Sequence, residues 1–209
     1  MTLFIMNKEV FLSLAKLFND HGYRLFMIGG TTRDYLLNKE VLDYDFVSDA
    51  TPEDMKSFLK DANYHFEKFG TVRVKVDGVH VDITTLRKEG EYIDYRHPSK
   101  VTYVKDIEED YVRRDFTINA IYMDENFNVI DPSGLGLKDL KDKLIRFIGD
   151  PEKRIKEDPL RILRAERFET NLGFKIEDNT YLAIKKNRHL LDKINPDKIK
   201  EEYRKMNKK

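Results

Sequence analysis

Two aspartates separated by one residue, Asp43 and Asp45, are the side chains in this 209-residue chain best suited to chemistry. In an extended strand, positions i and i+2 face the same side, with Cα atoms roughly 6–7 Å apart. Two carboxylates so placed can share one or two divalent cations. Mg²⁺ suits such a pair, because it takes few protein carboxylates and completes its shell with water and substrate phosphates. Two such ions can activate an attacking hydroxyl and neutralise a leaving pyrophosphate. Just upstream stands Gly29-Gly30-Thr31-Thr32-Arg33-Asp34. Glycines there let the backbone turn sharply and approach a ligand. A helix opening at that turn offers free N–H groups to a phosphate, and Arg33 adds a charge-assisted fork. Each motif alone has an ordinary reading, as a capped turn or as a plain strand-to-helix joint. Together they favour metal and phosphate.

Three further sets follow. Asp82 is a candidate third catalytic carboxylate, but in a two-residue hairpin register it faces Arg73, so a cross-strand ion pair explains it as well. In Arg113-Arg114-Asp115-Phe116-Thr117-Ile118-Asn119-Ala120, a helix would place Asp115 and Asn119 on one face at i, i+4. They would hold a ribose while Arg113 or Arg114 reaches phosphates. An acidic cap after two surface arginines is the plainer alternative. In Glu157-Asp158-Pro159-Leu160-Arg161, Asp158 and Pro159 mark a helix start. Asp158 accepts hydrogen bonds and Arg161 donates a planar fork, a combination able to read a nucleobase edge. Arg164 lies further round this helix, and Arg167 about half a turn from Asp158. The plainer reading is a capped helix with a solvated arginine stripe.

The elements that must carry these residues are legible in the hydrophobic pattern. Val10, Phe11, Leu14, Leu17 and Phe18 recur at helical spacing over 8–20. Residues 25–28 form an apolar strand running into Gly29-Gly30, with a helix expected over about 31–37. Residues 44–47 are a second strand, and Thr51-Pro52-Glu53 opens another helix. Residues 72–84 alternate on both sides of Asp77-Gly78, the signature of a two-residue hairpin. Residues 85–100 are polar and turn-rich and are expected to form a loop. A helix is expected at 115–122 and a turn at 131–134. From 151 the pattern is helical, broken near Gly173 and Asn195-Pro196. The expected class is α+β, with a head over 1–150 and a helical neck over 151–209.

Composition narrows the classes. The chain holds 38 Lys+Arg, 38 Asp+Glu and no Cys, which excludes disulfide-linked partners, thiolate metal sites and Cys nucleophiles. Residues 153–209 carry 17 basic and 10 acidic side chains, so the front is acidic and the rear basic. That asymmetry suits carboxylates binding cations and a surface meeting a polyanion, although a solvated Lys-rich helical face explains it equally. No apolar run approaches the ~20 residues of a membrane span, and the N-terminus lacks the basic start of a signal peptide. A reducing cytoplasm is the expected location.

The motifs, in this order, resemble the bacterial class II tRNA nucleotidyltransferase (CCA-adding enzyme) and poly(A) polymerase family. The pattern G-G-x-x-R-D then D-x-D stands at Gly29 to Asp34 and Asp43 to Asp45. S-x-A-T-P stands at 48–52, R-R-D-F-T-I-N-A at 113–120, and E-D-x-L-R-x-x-R-A-x-R-F at Glu157 to Phe168. The resemblance covers nearly the whole chain. It implies a polymerase-β-like head with a small mixed or antiparallel sheet, followed by an all-α neck. It implies that Asp43 and Asp45 bind Mg²⁺. It also implies that Gly30, Arg33 and Arg114 contact the incoming triphosphate, with Asp115 near the ribose; Gly29, Asp34, Arg113 and Asn119 complete the expected nucleotide-binding set. Asp158 and Arg161 would pair with the base of CTP or ATP, with Arg164 and Arg167 as further contacts. The implied reaction is addition of CMP and AMP to tRNA 3′ ends. Residues 87–98 would be the flexible loop of CCA addition, with A-addition or poly(A) synthesis as the alternative. A nucleotidyltransferase for a small molecule or protein, or a non-catalytic nucleotide- or RNA-binding module, remains a reading of another class. Thr31-Thr32 departs from the family's small residue and valine. The family's body and tail domains are expected to lie outside these 209 residues.

Overall fold

The computed structural model describes residues 5–92, 94–95 and 98–207. Ile93, Arg96 and His97 of the expected flexible loop lie outside the described residues. The chain forms two compact units. The first comprises residues up to Lys88 with Thr102–Tyr111 and Asn119–Pro132; the second comprises Glu89–Val101, Val112–Ile118 and the chain from Ser133. The boundary expected at residue 150 therefore falls inside the second unit, which also takes two short earlier segments. No described helix is long and apolar enough to cross a membrane.

The first unit opens with α1 (Lys8–Asp20), capped by the Asn7 side chain accepting from the Glu9 N–H. Its buried stripe is Val10, Phe11, Leu14, Ala15 and Phe18. β1 (Leu25–Met27), α2 (Gly29–Leu36), β2 (Tyr44–Ser48) and α3 (Pro52–Phe58) follow. α2 starts at Gly29, two residues before its expected start. α3 carries the reciprocal Thr51–Asp54 capping box. β3 (Thr71–Val76) and β4 (Val79–Thr85) form the hairpin; Asp77 and Gly78 adopt φ of +49° and +82°, as a primed turn requires. β5 (Arg87–Glu89) and β6 (Val101–Tyr103) pair as a separate ribbon, so the expected loop is in part a β-arm. A short helix α4 (Ile107–Asp110), then β7 (Tyr122–Met123) and β8 (Val129–Ile130), complete the unit.

The main sheet runs β3-β4-β2-β1-β7-β8, with β2 and β4 parallel and the other pairs antiparallel. Tyr44, Phe46, Val72, Val74, Val81 and Ile83 share the buried core with α1. Because side chains alternate across a strand, Asp45, Asp82 and Arg73 occupy the opposite face. A second core of Phe26, Ile28, Val47, Leu86, Val104 and Tyr122 covers part of that opposite side.

The second unit contains α5 (Gly136–Asp142), β9 (Leu144–Ile145), α6 (Pro151–Glu157), α7 (Leu160–Leu172), β10 (Lys175–Ile176), α8 (Asp178–Asn187) and α9 (Pro196–Met206). The break at Gly173 thus admits a two-residue strand, parallel to β9. Phe116 and Phe147 stack at 4.9 Å, and Phe116 meets Phe168 edge-on at 5.5 Å. Buried Asp139 accepts hydrogen bonds from Thr117 and Arg146. The helix expected over 115–122 does not form. Only a 3₁₀ turn at Thr117–Asn119 exists, and Asp115 and Asn119 belong to different units. Their shared i, i+4 face is therefore not made. Tertiary burial of Phe116 and Ile118 outweighs the local helical pattern.

Candidate active-site residues in each unit

In the first unit, Asp45 sits on β2, between β1 and β4, and Asp43 immediately precedes that strand. The turn before α2 is tied to them by one hydroxyl: Thr31 Oγ1 donates to the Asp43 carbonyl (3.0 Å) and accepts from the Asp45 N–H (2.7 Å). The Ile28 N–H also donates to the Asp45 carbonyl, at 3.1 Å. Gly29 has φ +66°, where a side chain is strained, and a Cβ there would lie 3.7 Å from Asp45 Oδ2. The glycine turn and the carboxylate pair are thus one local structure.

Arg33 is buried and its fork is engaged. Nε and Nη2 donate to the two oxygens of Asp34 at 2.8 and 2.9 Å, and Nη1 donates to Asn119 Oδ1 at 2.8 Å. The fold thereby brings Arg33, Asp34 and Asn119 together. Asp82 takes both hydrogen bonds of the Arg73 fork, at 2.6 and 2.7 Å, in the register the hairpin predicts. Asp43, Tyr44, Asp45, Arg73, His80 and Asp82 line one open pocket of about 400 Å³.

Among the described residues, no group of three or more His, Asp or Glu side chains is placed to hold a metal ion. Asp43 and Asp45 alone fit a hard cation that takes one or two carboxylates and finishes its shell with water and phosphate oxygens. Mg²⁺ is such a cation; a closed all-protein cage is not.

In the second unit, Asp158 ends α6, and its Oδ1 accepts from the Leu160 N–H at 3.1 Å; the N-cap of α7 is Pro159, one residue later than the sequence predicts. Arg161 is buried. Its Nη1 donates to the Arg154 carbonyl (2.7 Å) and to Glu157 Oε2 (2.8 Å), and its guanidinium lies 5.5 Å from the Tyr92 ring centre. Burial and the hydrogen bond to Glu89 push the Tyr92 phenol up to about 12. Asp115 is held by Arg164, with Nε at 2.7 Å from Oδ2, and by the Phe116 N–H at 2.8 Å. Burial works to raise the Asp115 carboxyl, yet the charge and hydrogen bonds of Arg164 hold it below the ordinary carboxylate range. Arg167 pairs instead with Glu202 of α9, at 2.9 Å, a contact that joins two helices of this unit. Arg113 lies near Glu89, 3.7 Å away.

Sequence reasoning missed Arg154. Its Nη2 donates to the carbonyls of Arg113 and Arg114, both at 2.6 Å, and Nη1 donates to Glu157 at 2.6 Å. The one-turn spacing of Arg154 and Glu157 on α6 was the available signal; the backbone clamp had none. Thr31 stood in the sequence only as a departure from the family pattern.

Comparison with known proteins identifies the family. Residues 25–146 match the model of the poly A polymerase head domain, and 173–206 match a probable RNA and SrmB-binding site of polymerase A. A CCA-adding enzyme of Lactobacillus helveticus is 44% identical over 187 residues, covering 90% of this chain and 47% of the relative. One from Pediococcus pentosaceus is 46% identical, with the same coverage. The crystal structure of the Bacillus stearothermophilus CCA-adding enzyme in complex with CTP superposes with a TM-score of 0.88 at 35% identity, covering 97% of this chain and 49% of that one. The Thermotoga maritima CCA-adding enzyme complexed with tRNA_CCA gives a TM-score of 0.77 at 28% identity, covering 96% and 47%. The chain spans about half the length of the relatives it matches. It belongs to the tRNA nucleotidyltransferase and poly(A) polymerase family, whose head-domain model covers residues 25–146.

Proposed function

We propose that this chain transfers CMP and AMP from CTP and ATP, without a nucleic-acid template, to tRNA 3′ ends, completing CCA. The observation that carries this reading is the Asp43/Asp45 pair, bound through Thr31 to the Gly29-Gly30 turn and lining one pocket. The names of the relatives support it, as do the CTP and tRNA complexes among the similar structures. The family uses divalent metal. Here Asp43 and Asp45 would hold two Mg²⁺ ions, which when bound lower the barrier to hydroxyl attack and neutralise pyrophosphate.

The chain's own residues do the rest. The amides opening α2 at Gly29 and Gly30 face the triphosphate, helped by Arg33 once its fork leaves Asp34 and Asn119. Arg113 and Arg114 add positive charge, and Asp115 accepts from the ribose. Asp158 and Arg161 present an acceptor and a fork to the base, with Arg164 and Arg167 as outer contacts. The RNA 3′ oxygen bonds to the α-phosphorus as pyrophosphate leaves. The proposed location is the cytoplasm, where a tRNA substrate is met.

A second reading, A-addition or poly(A) synthesis, is favoured by the head-domain description itself. The experiment supplies a tRNA ending before CCA, Mg²⁺, and CTP, ATP or both, with products resolved nucleotide by nucleotide. Sequential C, C and A supports the proposal. A alone, or an A tail, supports the second reading. Tight nucleotide binding without product leaves a binding module.

A further inference from the structure

Arg73, Asp82 and Asp45 lie side by side across three adjacent strands. Asp82 is the direct register partner of both Arg73 on β3 and Asp45 on β4's other neighbour, β2. All three side chains line the pocket that contains Asp43. A third carboxylate therefore stands beside the metal pair, yet the three do not form a metal-holding group among the described residues. Both Asp82 oxygens are turned onto the Arg73 fork. Arg73 is 47% exposed and Asp82 31%, and pairs this open contribute little to stability. Their arrangement calls for another explanation.

We infer that Arg73 is a positioning residue that withholds Asp82 from the metal ions, so that the site offers two carboxylates and leaves coordination positions for phosphate oxygens. This rests on the metal reading of Asp43 and Asp45. A planar guanidinium suits the task, since two parallel hydrogen bonds fix both oxygens of a carboxylate and a lysine fixes neither orientation. The Arg73 guanidinium is held above its ordinary value first by the hydrogen bonds and charge of Asp82, and then by the charges of Asp45 and Asp43. It thus feels the whole carboxylate set. Without Arg73, Asp82 is free to turn toward the ions and compete with the triphosphate for them.

The test counts water on a bound ion. Eu³⁺ is titrated into nucleotide-free protein, and its luminescence lifetimes in H₂O and D₂O report inner-sphere waters. Mn²⁺ affinity is measured in parallel. Wild type, Arg73→Met, Arg73→Lys, Asp82→Asn, Arg73→Met/Asp82→Asn and Asp45→Asn are compared. In Arg73→Met the ion is expected to lose inner-sphere water and Mn²⁺ to bind roughly tenfold tighter. Both changes should vanish in the double variant. Arg73→Lys, which keeps the charge but not the fork, should also lose water. Equal water counts in wild type and Arg73→Met, with binding still abolished by Asp45→Asn, would overturn this inference alone. Binding that survives Asp45→Asn unchanged would overturn the metal reading and this inference with it.

Discussion

Replacing Arg154 with Met tests whether the arginine-rich segment of the second unit is held from below. Arg154 is buried, and its Nη2 donates to two consecutive carbonyls, Arg113 O and Arg114 O, each at 2.6 Å. Removing it takes a donor from both acceptors, and a buried acceptor that loses its donor costs about 1–3 kcal/mol. These carbonyls are only partly buried, so the lower end applies. Glu157 is not stranded, because Arg161 still donates to the same oxygen. An offset also acts: burial and the nearby Arg161 charge both disfavour the Arg154 cation, and Arg154 Nε is buried without a hydrogen-bond partner. The two carbonyls together cost about 2 kcal/mol and the offset brings the net loss to about 1–2 kcal/mol, against a typical total of 5–15 kcal/mol. For a chain of this length the midpoint should fall by roughly 2–8 °C. Urea unfolding measures the free energy, and CTP incorporation on the folded variant measures the effect of loosening Arg114 and Asp115. Arg154→Lys should recover little of either, since a point charge cannot serve two carbonyls and a carboxylate together. A loss below about 0.5 kcal/mol in Arg154→Met would refute the clamp.

Asp45→Asn should lower nucleotide incorporation by at least ~10²-fold while the thermal midpoint stays near wild type, as expected for a half-exposed charge whose work is electrostatic; near-normal activity would remove Asp45 from the metal site. Thr32→Val should raise stability by about 1 kcal/mol, because the Thr32 hydroxyl is buried with no hydrogen-bond partner and valine has the same shape; a lower midpoint would mean the hydroxyl is satisfied in solution. Asp115 has a depressed carboxyl value in the folded state, so its contribution is fully present above the unfolded value of about 3.9 and is lost as pH falls toward the folded one. In acid unfolding, Arg164→Met should therefore be weaker than wild type at neutral pH and should lose less stability as pH drops below about 4; parallel curves for the two proteins would contradict the pairing.

The hairpin, with its Arg73–Asp82 register, and the capped helices were legible because their signals are local: alternation, Asp77-Gly78, Thr51 with Asp54. The strand that carries Asp45 was legible too, although it begins at Tyr44 and leaves Asp43 just before it. The partners of the arginines were not, because each is chosen by tertiary structure. Arg33 pairs with Asn119, 86 positions away, and Arg164 with Asp115, 49 positions away. The helical pattern at 115–122 misled for the same reason. It records the apolar spacing of Phe116 and Ile118, and these bury themselves in a 3₁₀ turn within an irregular segment. Nothing in the residue types distinguishes Arg167, bound to Glu202, from the arginines proposed to meet nucleotide.

The second unit gathers Glu89–Val101 and Val112–Ile118 with a chain that begins again at Ser133. A ribosome therefore delivers the main sheet of the first unit, whose last strand ends at Ile130, well before α9 is made. Until then Arg167 has no Glu202, and the early arms wait for helices not yet synthesised. The same interleaving limits dissection. A fragment cut at 151 would carry Arg154 without its carbonyls, Arg164 without Asp115 and Phe168 without Phe116. A gene trimmed to isolate the helical half would have to splice those two earlier arms back in, so natural or engineered recombination at that point should yield chains that do not fold.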